Sequence, residues 1–195
     1  SKGIQMHQPV TEPRPSIYYD YKVYEPWLAS KNEKQDRKKV VIAGSGPAGM
    51  VTALELARYG VPSVIVTSEL QVSQGSRAIV FTRRSMEILQ QVGVDKQMTQ
   101  HGLPWRFGNS YYRNQHVFRM EAPHDPDDRF FPMLNIQQQY MEEYLLNACN
   151  DNPLIDFRWG NKVIQVEQKD GFAKVEIDTP EGPYVLETEW LIAAD

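Results

Sequence analysis

In the first half of the chain apolar residues gather in short unbroken runs. Val40, Val41 and Ile42 make one run and Val64, Ile65 and Val66 another, the pattern of strands covered on both faces, as in a parallel sheet. Between them, from about Pro47, the spacing turns helical. Thr52, Glu55 and Arg58 fall on one side and Met50, Val51, Leu54, Leu56 and Ala57 around the remainder, so only a narrow stripe is expected to meet water. Gly60 and Pro62 end that helix. Strand, helix and strand at this spacing predict a βαβ unit with a right-handed crossover.

Farther on, Thr82 is expected to cap a helix reaching Val92, with Met86, Leu89 and Val92 at helical spacing and Gly93 as its stop. Residues 107–120 predict a hairpin, Tyr111 and Tyr112 leading into Arg113-Asn114-Gln115 and out through Val117 and Phe118. The run from Glu121 to Arg129 is a polar, proline-broken loop. A further helix is predicted over 137–150, with Met141, Leu145 and Ala148 on one face, Asn135 as its cap and Asn152-Pro153 as its end. The remainder is β-rich, with strands expected at 155–159, 162–168, 173–178 and 184–192 and turns at Lys169-Asp170-Gly171 and Pro180-Glu181-Gly182.

Composition narrows the function classes. The chain has 195 residues and 41% hydrophobic content, enough to bury one core. Its 21 Lys+Arg against 25 Asp+Glu leave a net charge of −4, which disfavours a broad grip on nucleic-acid phosphates. One cysteine, Cys149, rules out an intrachain disulfide framework and suits a reducing cytoplasm. No apolar stretch approaches the roughly 18 residues of a membrane span. Residues 1–37 form a separate zone, rich in Pro and Tyr and then highly charged. Tyr18, Tyr19, Tyr21, Tyr24 and Trp27 there read as an arm laid across the domain or a partner subunit.

Chemistry concentrates between the first two predicted strands. Gly44-Ser45-Gly46-Pro47-Ala48-Gly49 has GxGxxG spacing in the place where that spacing has a mechanism. Gly44 permits a tight turn, Gly46 lets a pyrophosphate approach the backbone, and Gly49 permits close helix–strand packing. The helix N-terminus adds unpaired N–H groups and a positive dipole. A dinucleotide is the ligand this predicts. The motif's usual acidic residue, at the end of the second strand, accepts hydrogen bonds from the ribose. Here that position is Thr67, with Glu69 two residues later. Either Glu69 reaches the ribose from the loop, or Thr67 and water serve; Glu69 is preferred over a merely solvated carboxylate. No cation lies between Thr67 and Gly75 to hold a 2′-phosphate. Arg77 is placed either to return to the pyrophosphate, where its fork makes charge-assisted bonds, or to form a surface salt bridge.

The sequences GSGPAG, GSRAIVFTRRSMEILQQVGV, NIQQQYMEEYLL and EWLIAAD, in this order, resemble the N-terminal part of FAD-dependent aromatic hydroxylases of the para-hydroxybenzoate hydroxylase type, in the branch with phenol and 3-(3-hydroxyphenyl)propionate hydroxylases. The resemblance covers about Lys38 to Asp195 and implies an α/β fold: a Rossmann-like FAD-binding parallel sheet with an antiparallel β-meander laid over it, the domain being truncated. It implies FAD as cofactor, NAD(P)H as co-substrate, and a small phenolic substrate hydroxylated with O₂. Gly44 to Gly49 would surround the FAD pyrophosphate and Arg77 would approach the flavin's phosphates. Gln138, four residues before Glu142, matches a glutamine lining the FAD site, Val163 a strand residue at the adenine end, and Asp195 the aspartate of an Asp-Gly motif. The family's substrate pocket lies downstream of this point. A fragment, inactive alone, is therefore expected, either in a homo-oligomer or paired with the missing C-terminal half. Other FAD-dependent oxidoreductases (epoxidases, halogenases, reductases), or a non-catalytic nucleotide-binding module, are the competing readings.

The remaining polar groups have plainer readings. His124, Asp125, Asp127 and Asp128 fit no metal-site spacing and read as a flexible loop. His7, His101 and His116 have no evident catalytic partner. Cys149 reads as an apolar filler, and Trp159 and Trp190 as sheet anchors.

Overall fold

A computed structural model describes residues 19–29, 35–73 and 80–194 of the chain. These residues divide into two compact units, one drawn from residues before 75 and after 144, the other from 75–144.

The first unit starts with strand β1 (Lys38–Ala43), helix α1 (Pro47–Arg58) and strand β2 (Ser63–Val66), which is buried along its whole length. Helix α1 buries Gly49, Met50, Ala53 and Leu54. Val51, Leu56 and Ala57 are only half-buried, so the wet face is broader than the expected narrow stripe: burial is concentrated on the face that carries Gly49, Met50, Ala53 and Leu54. Gly60, at φ +73°, takes the left-handed position that closes the helix.

The second unit holds strand β3 (Val80–Thr82), helices α2 (Arg83–Gln91) and α3 (Asp95–His101), strands β4 (Leu103–Trp105), β5 (Phe107–Tyr112), β6 (Gln115–Glu121) and β7 (Met133–Asn135), and the start of helix α4 (Gln138–Asn150). Thr82 caps α2 by accepting from the Ser85 N–H. β5 and β6 form the predicted hairpin, turning on Arg113 and Asn114, both at positive φ. The three-residue strands pair antiparallel in the order β3-β7-β4. Asn135 is not the cap of α4. It ends β7, and its Oδ1 accepts the Trp105 indole N–H at 2.7 Å, an acceptor already used.

After Leu145 the chain contributes again to the first unit. Strands β8 (Ile155–Arg158), β9 (Lys162–Lys169), β10 (Phe172–Asp178) and β11 (Tyr184–Ala193) complete a six-stranded sheet in the order β8-β2-β1-β11-β10-β9. β1 and β2, β2 and β8, and β1 and β11 are parallel, whereas β9, β10 and β11 form an antiparallel meander. β11 serves both parts. Tyr184 to Thr188 pair with β10 and Thr188 to Ala193 with β1. One core cluster unites Val41, Val64 and Val66 with Val175, Ile177 and Leu186 of the meander, the arrangement expected from the sequence. Trp159 is buried at 6% exposure, whereas Trp190 is 66% exposed, contrary to its expected role as a sheet anchor. No helix among the described residues is long and apolar enough to cross a membrane.

Candidate functional site

The carboxyl ends of β1, β2, β8 and β11 gather the first unit's polar turns. In open α/β sheets ligands bind at that edge. Gly44, at φ +123°, turns the chain out of β1, and its N–H donates to the Val66 carbonyl of β2 at 3.0 Å. A side chain would strain that backbone. Gly49 is required for a different reason. A Cβ there would stand 2.1 Å from the Gly44 carbonyl oxygen and 3.4 Å from Cβ of Ala194, so α1 sits directly against the turn. Gly46 is the opposite case. It is the N-cap of α1, at φ −70° and ψ 178°, and a Cβ there would meet nothing within 4 Å. Pro47 stands at the start of α1, no side chain caps the helix, and its first turn carries no acidic residue. The orphan N–H groups and the positive end of the helix dipole therefore face open space beside Gly46.

Thr67 closes the cradle's flank. Its Oγ1 accepts from the Ser45 hydroxyl at 2.9 Å and from the Glu69 N–H at 3.2 Å. The side chain is 6% exposed, so one hydroxyl ties the glycine turn to the loop after β2. The backbone of that loop is held from β8. Thr67 N–H donates to Arg158 O, Asn161 N–H to Thr67 O at 2.7 Å, and Gly160 N–H to Glu69 O at 3.0 Å.

The sequence profile of the FAD binding domain matches residues 37–195. The chain belongs to this FAD-binding domain family.

The FAD-binding domain is similar to para-nitrophenol 4-monooxygenase of Pseudomonas sp. strain WBC-3, at 26% identity over 80% of this chain and 39% of the relative. It is similar also to the FAD-dependent monooxygenase apdD of Emericella nidulans, at 29% identity over 80% of this chain and 27% of the relative. The chain thus spans well under half the length of these two relatives. Among solved structures, p-nitrophenol 4-monooxygenase PnpA from Pseudomonas putida DLL-E4 shares the fold, with TM-score 0.76 and 24% identity over 83% of this chain and 42% of that one. The flavin-dependent monooxygenase PieE, solved with FAD and substrate, matches at TM-score 0.72 and 26% identity over 82% of this chain and 30% of its own.

The residues present fit FAD. The space beside Gly46 and the uncapped end of α1 suit a pyrophosphate, and the carboxylate-free first turn offers it no repulsion. Of the residues singled out from the sequence, Gly44, Ser45, Gly46, Pro47, Ala48, Gly49, Thr67 and Glu69 are brought to this one edge. Val163 lies near the start of β9, two residues beyond Asn161, pairs with Ile177 and packs on the core cluster. Gln138 opens α4 in the other unit, where its Nε2 donates to Glu142 Oε1 at 3.4 Å. Arg77 and Asp195 lie outside the described residues.

Sequence reasoning missed Arg158 and Asn161, which are 2% and 1% exposed. Arg158 donates to Asp156, Tyr184 and Gln35, and Tyr184 donates to Asn161 Oδ1 at 2.6 Å. Burial pushes the Tyr184 phenol above its ordinary 10.0, against the opposing pull of Arg158. An Arg closing a predicted strand and an Asn after Gly160 read as surface and turn residues; the one available signal was the Trp-Gly-Asn run itself.

The His124 loop is ordered by a cation. Arg83 donates to the carbonyls of Phe130 and Pro123 and pairs with Asp128 at 3.1 Å. Asp125 and Asp128 carboxylates accept the loop's own N–H groups, and the His124 ring stacks on Phe131 at 4.7 Å. These groups are spent on loop structure. Cys149 is fully buried, its Sγ 3.9 Å from the Met50 carbonyl, and burial pushes its thiol up to about 12. That holds it neutral, as an apolar filler should be.

Proposed function

We propose that this domain supplies the FAD cradle of a monooxygenase that hydroxylates a small phenolic ring with NAD(P)H and O₂. The observation that carries the reading is the pairing of Gly46, open to 4 Å, with Gly49, closed to 2.1 Å, in a chain of the FAD-binding family. Gly44 to Gly49 and the N-terminal turn of α1 hold the pyrophosphate, Glu69 reaches the ribose, and Arg77 returns to the phosphates. Val163 lies toward the adenine, and Gln138 and Asp195 complete the flavin environment. FAD held there would supply the redox chemistry, taking electrons from NAD(P)H and activating O₂ for ring hydroxylation. The chain's own share is binding, orientation and the exclusion of water. That share needs no protein nucleophile or metal. Its single, buried cysteine fits a cytoplasmic setting.

The relatives' names support the substrate class: para-nitrophenol 4-monooxygenase and 3-(3-hydroxy-phenyl)propionate/3-hydroxycinnamic acid hydroxylase both act on phenols. The experiment is in two steps. Purified protein is expected to bind FAD and show flavin absorbance at about 450 nm; a colourless protein that binds NAD instead of FAD would sink the reading. In a form carrying the rest of the relatives' length, phenols should stimulate NAD(P)H oxidation and yield a hydroxylated product. Oxidation without any hydroxylated product would leave a flavin oxidoreductase of another kind.

A further inference from the structure

Ahead of the stretch that the family profile matches, residues 19–29 run across the same edge of the sheet that carries the glycine cradle. They touch it at the two loops following β2 and β8. Tyr24 N–H donates to the Leu70 carbonyl at 2.8 Å, and Trp27 N–H to the Trp159 carbonyl at 2.9 Å. The Asn161 side-chain amide closes the junction by donating to both the Trp27 and Trp159 carbonyls at 2.8 Å.

Rings reinforce these backbone bonds. Tyr24 stacks on Trp159 with centroids 4.5 Å apart and planes 9° apart. The buried Arg158 guanidinium lies 3.8 Å from the Trp27 ring, a cation–π contact in a desolvated setting. Gly160 sits between the segment and the β2 loop. At φ +64°, its missing Cβ would stand 3.0 Å from Pro26 and 3.3 Å from Leu70. The segment is therefore fitted to this domain, contact by contact.

Those two loops lie beside the cradle, the first tied to its glycine turn by the Ser45–Thr67 hydrogen bond. Glu69 and Thr67 belong to one, Asn161 to the other, and they are bonded to each other through Gly160 and Asn161. We propose that residues 19–29 form a strap whose Tyr24 and Trp27 are positioning residues for the adenosine half of the cofactor. They hold the β2 and β8 loops at the separation that the nucleoside requires. The inference rests on the flavin reading above and adds to it a segment that the family profile leaves out.

Preorganised loops cost less to order on binding, so loosening the strap raises the dissociation constant for ligands that contain adenosine. Linkage makes the effect reciprocal: adenosine ligands in turn protect the strap. The test uses the whole chain, with ADP, FAD and FMN as probes, in wild type and in Trp27→Ala. Dissociation constants for ADP and FAD are expected to rise about tenfold in the variant, with FMN binding unchanged. A purely structural role would lower the melting temperature and leave the ADP affinity of the folded protein as it was. Hydrogen exchange on wild type gives a second reading that needs no variant. ADP should slow exchange at the Tyr24 and Trp27 amides. Unchanged ADP and FAD affinities in folded Trp27→Ala, or amides indifferent to ADP, would overturn the strap while leaving the flavin reading intact. Wild-type protein that binds neither ADP nor FAD would overturn both.

Discussion

Two alanine substitutions in one turn should have opposite consequences. In Gly49→Ala the new methyl would meet the Gly44 carbonyl oxygen at 2.1 Å. A real contact needs roughly 1 Å more, and the obstacle is backbone, so either the turn or α1 must shift. Overpacking of this kind costs about 1–3 kcal/mol, which in a protein of this size lowers the melting temperature by roughly 3–10 °C. In Gly46→Ala the methyl meets nothing within 4 Å, and φ −70° with ψ 178° suits any L residue. The small gain from a stiffer unfolded chain is offset by a poorer N-cap, so stability should stay within about 1 kcal/mol of wild type. The methyl would, however, fill the space assigned to the pyrophosphate and hold its oxygens off the helix N-terminus. Losing about 2 kcal/mol of that contact weakens FAD roughly 30-fold. Thermal melts of both apo-proteins and FAD titration by fluorescence separate the effects. Gly46→Ala that binds FAD like wild type, or Gly49→Ala that melts like it, would refute the division of roles between the two glycines.

At the ribose end, Thr67→Val removes the acceptor of the Ser45 hydroxyl and the Glu69 N–H, and a loss of about 1–2 kcal/mol of stability is expected, read as a lower urea midpoint at constant m. Glu69→Ala keeps its backbone bonds to Thr67 and Gly160 and should weaken FAD. Wild-type FAD affinity in Glu69→Ala would remove the carboxylate from the ribose. Cys149, whose thiol is raised by burial from 9.0 to about 12, should resist a thiol reagent at mildly alkaline pH until the chain unfolds; fast labelling of native protein would contradict its burial. The raised value also has a stability sign: above pH 9.0 the unfolded chain loses that proton first, so the thiol's contribution falls from there toward about pH 12, readable in urea midpoints of wild type against Cys149→Ala.

How far the fold could be read locally depended on element length. Val40–Ile42, Val64–Val66 and the β9–β11 strands carry unbroken or alternating apolar patterns long enough to register, and their turns carry glycines at positive φ, Gly171 and Gly182 among them. The three-residue strands β3, β4 and β7 have no period to detect. Helix α3 carries one apolar side chain, Met98, within Asp95–His101, too few for an amphipathic pattern. Asn135 shows the limit of capping rules. Its side chain was free to cap α4 on sequence grounds and is instead committed to Trp105, thirty residues away.

The sequence by itself determined the cradle. Glycine spacing, a strand before it and a helix after it are local facts, and the backbone needs of a tight turn and a close helix contact admit few residues besides glycine. Tertiary structure alone decided what surrounds that turn. Ser45 meets Thr67 across 22 residues, Arg158 and Asn161 are buried by partners from Trp27 to Tyr184, and the early aromatic segment lies on the cradle's edge. These contacts join residues distant in sequence, and a polar side chain's burial depends on partners that local pattern cannot supply.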